Sequence, residues 1–357
     1  MIALYVCSTD SFSGKTALCV GLGRYFLQRG LNFGYMKPLR ITPGEIEGQR
    51  PDEDVRLCGS LAGLEQLADL TAPVNLTSHD LEAMLHGSAT APMYLERVRD
   101  AYHRISQERQ FLLLEGGADL GEGAVVDLAP PQLAKILRAR ALVILKYTSD
   151  LQVIDDALMA RQIMGETLIG VVLNMVPAQA RSWAEKTVAP ALNLRGIRVY
   201  AVLPQQNLLQ AISVREIAEV LEGDILCGEQ NQDELVENLM VGAMNVDAAL
   251  SYFRRKPNKA VITGGDRVDI QLAALETSTR CLVLTGNLHP RSVILNRASE
   301  VGVPVILATQ DTYSAVEIIK NAFGKTRFRQ EKKVQIIDQL LGEHFEFDAL
   351  CADLGLS

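Results

Sequence analysis

Short apolar runs separated by longer stretches of helical spacing organise the chain up to about residue 203. They lie at residues 2–6, 33–36, 111–114, 141–145, 168–173 and 199–203, and several are apolar at successive positions rather than at alternate ones. A strand of that kind is covered on both faces, as in a parallel sheet between two helical layers. The pattern predicts a doubly wound, mostly parallel α/β sheet, whose ligands gather beyond the carboxyl ends of the strands. A smaller alternation follows, with strands at 260–263, 282–285 and 305–308 and helices at 266–276, 290–301 and 312–323. The polar segment 223–233, with two glycines, reads as a linker between a domain at 1–222 and one at 234–357. Helical spacing at Val334, Ile337, Leu340 and Leu341 gives the end of the chain an amphipathic segment that caps the second domain or meets a partner subunit.

The first run feeds the stretch Cys7-Ser8-Thr9-Asp10-Ser11-Phe12-Ser13-Gly14-Lys15-Thr16, and a helical pattern (Leu18, Leu22, Phe26, Leu27, with a stop at Gly30) leaves it. This reads as strand, phosphate loop and helix. Backbone N–H groups at a helix N-terminus hold a polyphosphate, Lys15 reaches the terminal phosphates, and the Thr16 hydroxyl meets Mg²⁺. The usual pattern has glycine six residues before the lysine, or seven in the longer variant; Thr9 and Ser8 stand there.

Residues that follow the other runs fit the same site. Lys37-Pro38 follows the second, Glu115-Gly116-Gly117 the third and Asn174 the fifth, while Asp52-Glu53-Asp54 opens a helix after the polar loop 43–51. Singly, each also suits an ordinary turn or helix start. Together they place a lysine, carboxylates and an amide around one phosphate loop, the set a Mg–ATP site requires. In the second alternation the strands end in Thr263-Gly264-Gly265-Asp266-Arg267 and Thr285-Gly286-Asn287, where ordinary turn chemistry and ligand binding remain alternatives.

Composition narrows the classes. A chain of 357 residues is too long for one ordinary core. Its net charge of −8, with scattered basic residues, lacks the footprint of a nucleic-acid binder. The six cysteines form no Cys-x-x-Cys and the five histidines are dispersed, so neither zinc nor disulfides are expected. No apolar run spans a bilayer and Met1 opens directly into a strand, from which we expect no membrane segment and a cytoplasmic protein.

On these residues the first domain resembles dethiobiotin synthetase, whose loop runs Gly-Thr-Asp-Thr-x-Val-Gly-Lys-Thr. Thr9, Asp10, Gly14, Lys15 and Thr16 match it, and Ser8, Ser11 and Ser13 depart from it. The resemblance implies a P-loop NTPase fold and a nucleotide site of Thr9, Asp10, Ser11, Ser13, Gly14, Lys15 and Thr16. It further implies that Lys37, in Tyr35-Met36-Lys37-Pro38, contacts phosphates and substrate beside Lys15; that Thr16, Asp54 and Glu115 hold Mg²⁺; and that Asn174 reads adenine. Dimers are implied as well.

The second domain resembles the DRTGG domain through Gly265-Asp266-Arg267-x-Asp269, Leu284-Thr285-Gly286 and Asp311-Thr312-Tyr313. It makes Asp266, Arg267, Thr285 and Gly286 candidates for a second ligand, a small molecule or a partner protein. The two domains in this order are similar to the N-terminal, non-catalytic part of long bacterial phosphotransacetylases, and no acyltransferase segment is recognised before Ser357. The expectation is a Mg–ATP-binding regulatory or sensor protein, with slow hydrolysis at most and no phosphotransacetylase activity of its own. An ATP-dependent carboxylate or carbamate–amine ligase, of the dethiobiotin synthetase or cobyrinate diamide synthase type, is the alternative. A third reading is a degenerate loop kept as a scaffold.

Overall fold

A computed structural model of the protein describes residues 1–42, 53–87, 90–323 and 331–356. The chain divides into two compact units, Met1–Gln205 with Arg327–Ser357, and Gln206–Thr326. No helix among the described residues is long and apolar enough to cross a membrane.

In the first unit the six apolar runs form strands β1 (Ile2–Ser8), β2 (Phe33–Met36), β3 (Phe111–Glu115), β4 (Arg140–Lys146), β5 (Leu168–Val176) and β6 (Val199–Pro204). They make one sheet in the order β2-β3-β1-β4-β5-β6, parallel throughout. All five residues of β3 are buried. Each leucine so enclosed contributes about 2 kcal/mol, which is why a run with no polar alternation belongs at the centre. The chain reverses its direction of travel across the sheet beside β1, so the loops after β1 and β3 flank a crevice at the carboxyl edge.

The helix Lys15–Gln28 is enclosed on more than one side. Leu18, Leu22 and Phe26 are buried as their spacing predicts, and Leu27 is exposed. A Cβ on Gly21 would lie 2.2 Å from Leu341 Cδ1, because the helix Glu331–His344 lies directly against it. Arg24 donates to Asp338 at 2.8 and 3.0 Å, and Tyr25 stacks on Phe347 of the last helix, Phe347–Leu354, at 3.8 Å between ring centres. The C-terminal segment thus belongs to the first unit, not to the second domain at 234–357 where its position in the sequence places it. Its amphipathic spacing shows that it needs an apolar surface and says nothing about which one.

In the second unit β7 (Asp224–Cys227), β8 (Asn238–Val241), β9 (Lys259–Gly264), β10 (Thr279–Thr285) and β11 (Val305–Leu307) form a sheet in the order β7-β11-β10-β9-β8. β8 to β11 run parallel and β7 is antiparallel. Helices Val246–Phe253, Val268–Leu275 and Ser292–Val301 cover one face, and Val214–Leu221 and Thr312–Ala322 the other. Segment 223–233, read as a linker, instead carries edge strand β7, and the unit begins at Gln206 rather than after it. An edge strand has one open side and tolerates polar residues, so its sequence resembles a loop.

Candidate nucleotide-binding site

β1 ends at Ser8, and the backbone turns into the first helix through Gly14, whose φ of 94° lies in the left-handed region. A Cβ there would also stand 2.6 Å from Asn174 Nδ2. Asn174, on β5, donates from that nitrogen to the Ser13 carbonyl at 2.7 Å and accepts the Met175 N–H at 2.8 Å. It braces the loop from outside. The helix that begins at Lys15 has no side-chain cap and no acidic residue in its first turn, whereas the helix Val214–Leu221 is capped by Ser213 and Glu216. An uncapped N-terminus keeps its N–H groups available to an anion.

Within the loop Thr9 Oγ1 and Ser13 Oγ are buried without any hydrogen-bond partner. Buried hydroxyls seldom stay unpaired, and two in one short loop fit donors that a phosphate would satisfy. Asp10 and Phe12 are exposed, and Ser11 is half-buried. Lys15 is 9% exposed. Its ammonium donates to Ser8 Oγ at 2.7 Å and to the Ala118 carbonyl at 3.2 Å. Burial holds its pKa below the ordinary lysine value; Glu115 pulls it upward and Lys37 down again.

Glu115, the last residue of β3, is buried at the level of Val6 on β1. Thr16 Oγ1 donates to its Oε1 at 2.9 Å and Tyr35 Oη to its Oε2 at 2.8 Å. Lys37 Nζ stands 3.8 Å from Oε1. Tyr35 and Lys37 are two residues apart where β2 ends, so they share a face and both meet this carboxylate. Burial, then the charge of Glu115, drives the Tyr35 pKa well above its ordinary value, leaving it a donor at neutral pH. Beyond β3 the turn is tight: Gly116 N–H donates to the Val6 carbonyl at 2.8 Å, and the Glu122 carboxylate accepts the Ala118 N–H.

The structure therefore brings Lys15, Thr16, Lys37 and Glu115 together, with Asn174 against Gly14. The Asp54 backbone lies on the helix Glu53–Leu61, but its side chain, like residues 43–52, lies outside the described residues. Tyr35, Glu122 and the Ala118 carbonyl join the site beyond the residues that the sequence motifs mark. Only Tyr35 had a signal, its position two residues before Lys37.

At the carboxyl edge of the second sheet Gly264 of β9 pairs with Thr285 of β10, so the loops bearing Asp266, Arg267 and Gly286 are neighbours. Arg267 donates to Asp269 at 3.1 Å and to the Met244 carbonyl at 3.0 Å. Thr285 Oγ1 lies 2.8 Å from Thr312 Oγ1, and Gly286 N–H donates to the Gln310 carbonyl at 2.8 Å. A Cβ on Gly265 would lie 1.8 Å from the Leu288 carbonyl oxygen, so glycine is required where these loops cross.

A six-stranded parallel sheet with a Gly-Lys-Thr loop at the carboxyl end of a central strand defines a P-loop nucleotide-binding fold. Comparison with known families agrees: a model described as "AAA domain" matches residues 3–213, and the chain belongs to that family. A model of the DRTGG domain matches residues 216–322. The chain is 25% identical over 342 residues to phosphate acetyltransferase of Synechocystis sp., covering 91% of this chain and 48% of that protein. It is 24% identical over 366 residues to phosphate acetyltransferase of Nitratidesulfovibrio vulgaris, covering 97% and 51%. ATP-dependent dethiobiotin synthetase BioD of Methanococcus vannielii is 26% identical over 179 residues, covering 48% of this chain and 79% of that enzyme. The chain spans about half the length of the phosphate acetyltransferases it matches.

Proposed function

We propose that the first unit binds Mg–ATP and that the chain acts as a regulatory or sensor module, its DRTGG domain taking a second ligand or partner. The observation that carries this reading is the convergence of Lys15, Thr16, Glu115 and Lys37 on one uncapped helix N-terminus. Thr16 Oγ1 and the Glu115 carboxylate are hard oxygen donors 2.9 Å apart, suited to Mg²⁺. Among the described residues no three His, Cys, Asp or Glu side chains converge on a metal position. A cation here would draw its other ligands from phosphate oxygens and water, as Mg²⁺ commonly does. Bound Mg²⁺ supplies charge neutralisation at the phosphates. Lys15 and Lys37 then orient the terminal phosphate, and Asn174 keeps the loop in register.

The match to about half the length of phosphate acetyltransferases, the DRTGG match at residues 216–322 and the resemblance to the N-terminal regulatory part of long phosphotransacetylases support regulation rather than turnover. A second lysine, Lys37, beside the Glu115 carboxylate favours the ligase as the second reading, since a phosphorylated carboxylate or carbamate needs a cation of its own. Calorimetric titration with Mg–ATP, alongside Lys15→Ala and a phosphate-release assay, separates them. Regulation predicts micromolar binding, lost at least a hundredfold in Lys15→Ala, with little release. Brisk release stimulated by an amine and bicarbonate supports the ligase, and absence of binding refutes both.

A further inference from the structure

The loop carries serine at position 8, where the resembling family has glycine, and the structure gives that serine a specific contact. Lys15 Nζ donates to Ser8 Oγ at 2.7 Å. Ser8 Oγ in turn donates to the Asp10 carbonyl at 2.7 Å, with the Ala118 carbonyl as a longer alternative at 3.2 Å. The result is a chain from ammonium to hydroxyl to carbonyl that closes the loop on itself, each bond polarising the next. Of the three donors on the ammonium, two are committed, one to Ser8 and one to the turn after β3 through Ala118. Both acceptors are neutral. Glycine at position 8 would leave only the Ala118 carbonyl.

We propose that Ser8 is a positioning residue that parks Lys15 against the loop and the 116–118 turn in the nucleotide-free protein, so that an incoming terminal phosphate competes with Ser8 Oγ for the ammonium. This rests on the reading of Lys15 as the phosphate lysine. Ser8 then lowers nucleotide affinity by stabilising the free state. The contact is a feature of this chain's own loop, since a glycine has no hydroxyl to offer.

The test compares wild type with Ser8→Ala, Ser8→Gly and Ser8→Thr in the full chain. In Ser8→Ala and Ser8→Gly, Mg–ATP binds about tenfold more tightly by calorimetry, a change equal to about 1.4 kcal/mol, and Ser8→Thr, which keeps the hydroxyl, stays near wild type. Unchanged or weaker binding in folded Ser8→Ala overturns the proposal. A second readout needs no nucleotide: acylation of Lys15 by an acetylating succinimide ester, followed by mass spectrometry of the free protein. Faster acylation of Lys15 in Ser8→Ala, restored to the wild-type rate in Ser8→Thr, supports the parked contact; equal rates overturn it. A wild-type chain that binds no Mg–ATP refutes the function proposed above, and the acylation rates still decide the contact by themselves.

Discussion

Tyr35→Phe isolates one bond in the candidate site. Tyr35 is fully buried and its hydroxyl donates to Glu115 Oε2 at 2.8 Å. Phenylalanine keeps the ring and removes only the donor, so no cavity of consequence opens, and a buried carboxylate oxygen loses its partner. A hydrogen bond to a charged group is worth about 1.5–3 kcal/mol, and we expect a loss of about 2 kcal/mol. With a urea slope of about 2 kcal/mol/M, the midpoint falls by about 1 M. Trp183 is the single tryptophan and lies in the first unit, so its fluorescence follows the unit that holds the mutation. In a Glu115→Gln background the same change should cost about 1 kcal/mol less, because the acceptor is no longer charged. A midpoint shift below about 0.2 M, or a fully additive cycle, refutes the assignment of Tyr35 as the donor that fixes Glu115.

Two further outcomes are expected away from the site. Lys259 is buried with no hydrogen-bond partner for its ammonium, and burial lowers its pKa to about 8 from an ordinary 10.5. The folded state therefore binds fewer protons than the unfolded state between these values, so stability rises as pH climbs from about 8 to 10.5. Lys259→Met should be more stable than wild type at pH 7 by about 1–2 kcal/mol after allowance for residual hydration, a gap that closes toward pH 10.5; denaturation midpoints at pH 7, 9 and 10.5 check it. Gly21→Val forces branched carbons into Leu341, already 2.2 Å from a Cβ at that position, and should cost about 2–3 kcal/mol. Leu341→Ala in the same chain should recover part of that loss, and failure to do so in thermal melts counts against the helix contact.

The six strands of the first sheet were legible because a central parallel strand advertises itself by lacking polar positions. Phe111 to Leu114 could hardly be anything else, whereas Asp224–Cys227 and Asn238–Val241 lie at sheet edges, and neither is fully buried at any position. The loop was legible because Gly14-Lys15-Thr16 between a strand and a helix is a local pattern, and Glu115 and Lys37 because strand ends are where such a fold gathers ligands. What stayed hidden depends on long-range geometry. Asn174 touches Ser13 across 161 positions and Ala118 touches Lys15 across 103. Ser8 read as a departure from a pattern, and only the 2.7 Å contact with Lys15 gives it a task.

The path of the chain bears on how the regulation proposed above would work. It leaves the first unit after β6, builds the second unit, and returns as the helix Glu331–His344, which lies on the helix that begins at Lys15. That second helix is fixed at one end by the phosphate loop and along its side by Leu341, Asp338 and Phe347. A ligand on either unit can influence the other only if it binds two states of some shared element with different affinity. The returning helix is where such an element is most economically sought, since it is covalently downstream of the DRTGG domain and in van der Waals contact with the helix that positions Lys15 and Thr16. Movement of Gly21 against Leu341 would then be the observable, and the Gly21→Val and Leu341→Ala pair bears on nucleotide affinity as well as on stability. If both variants bind Mg–ATP as wild type does while their stabilities differ as predicted, the contact is structural only and coupling has to run by another route.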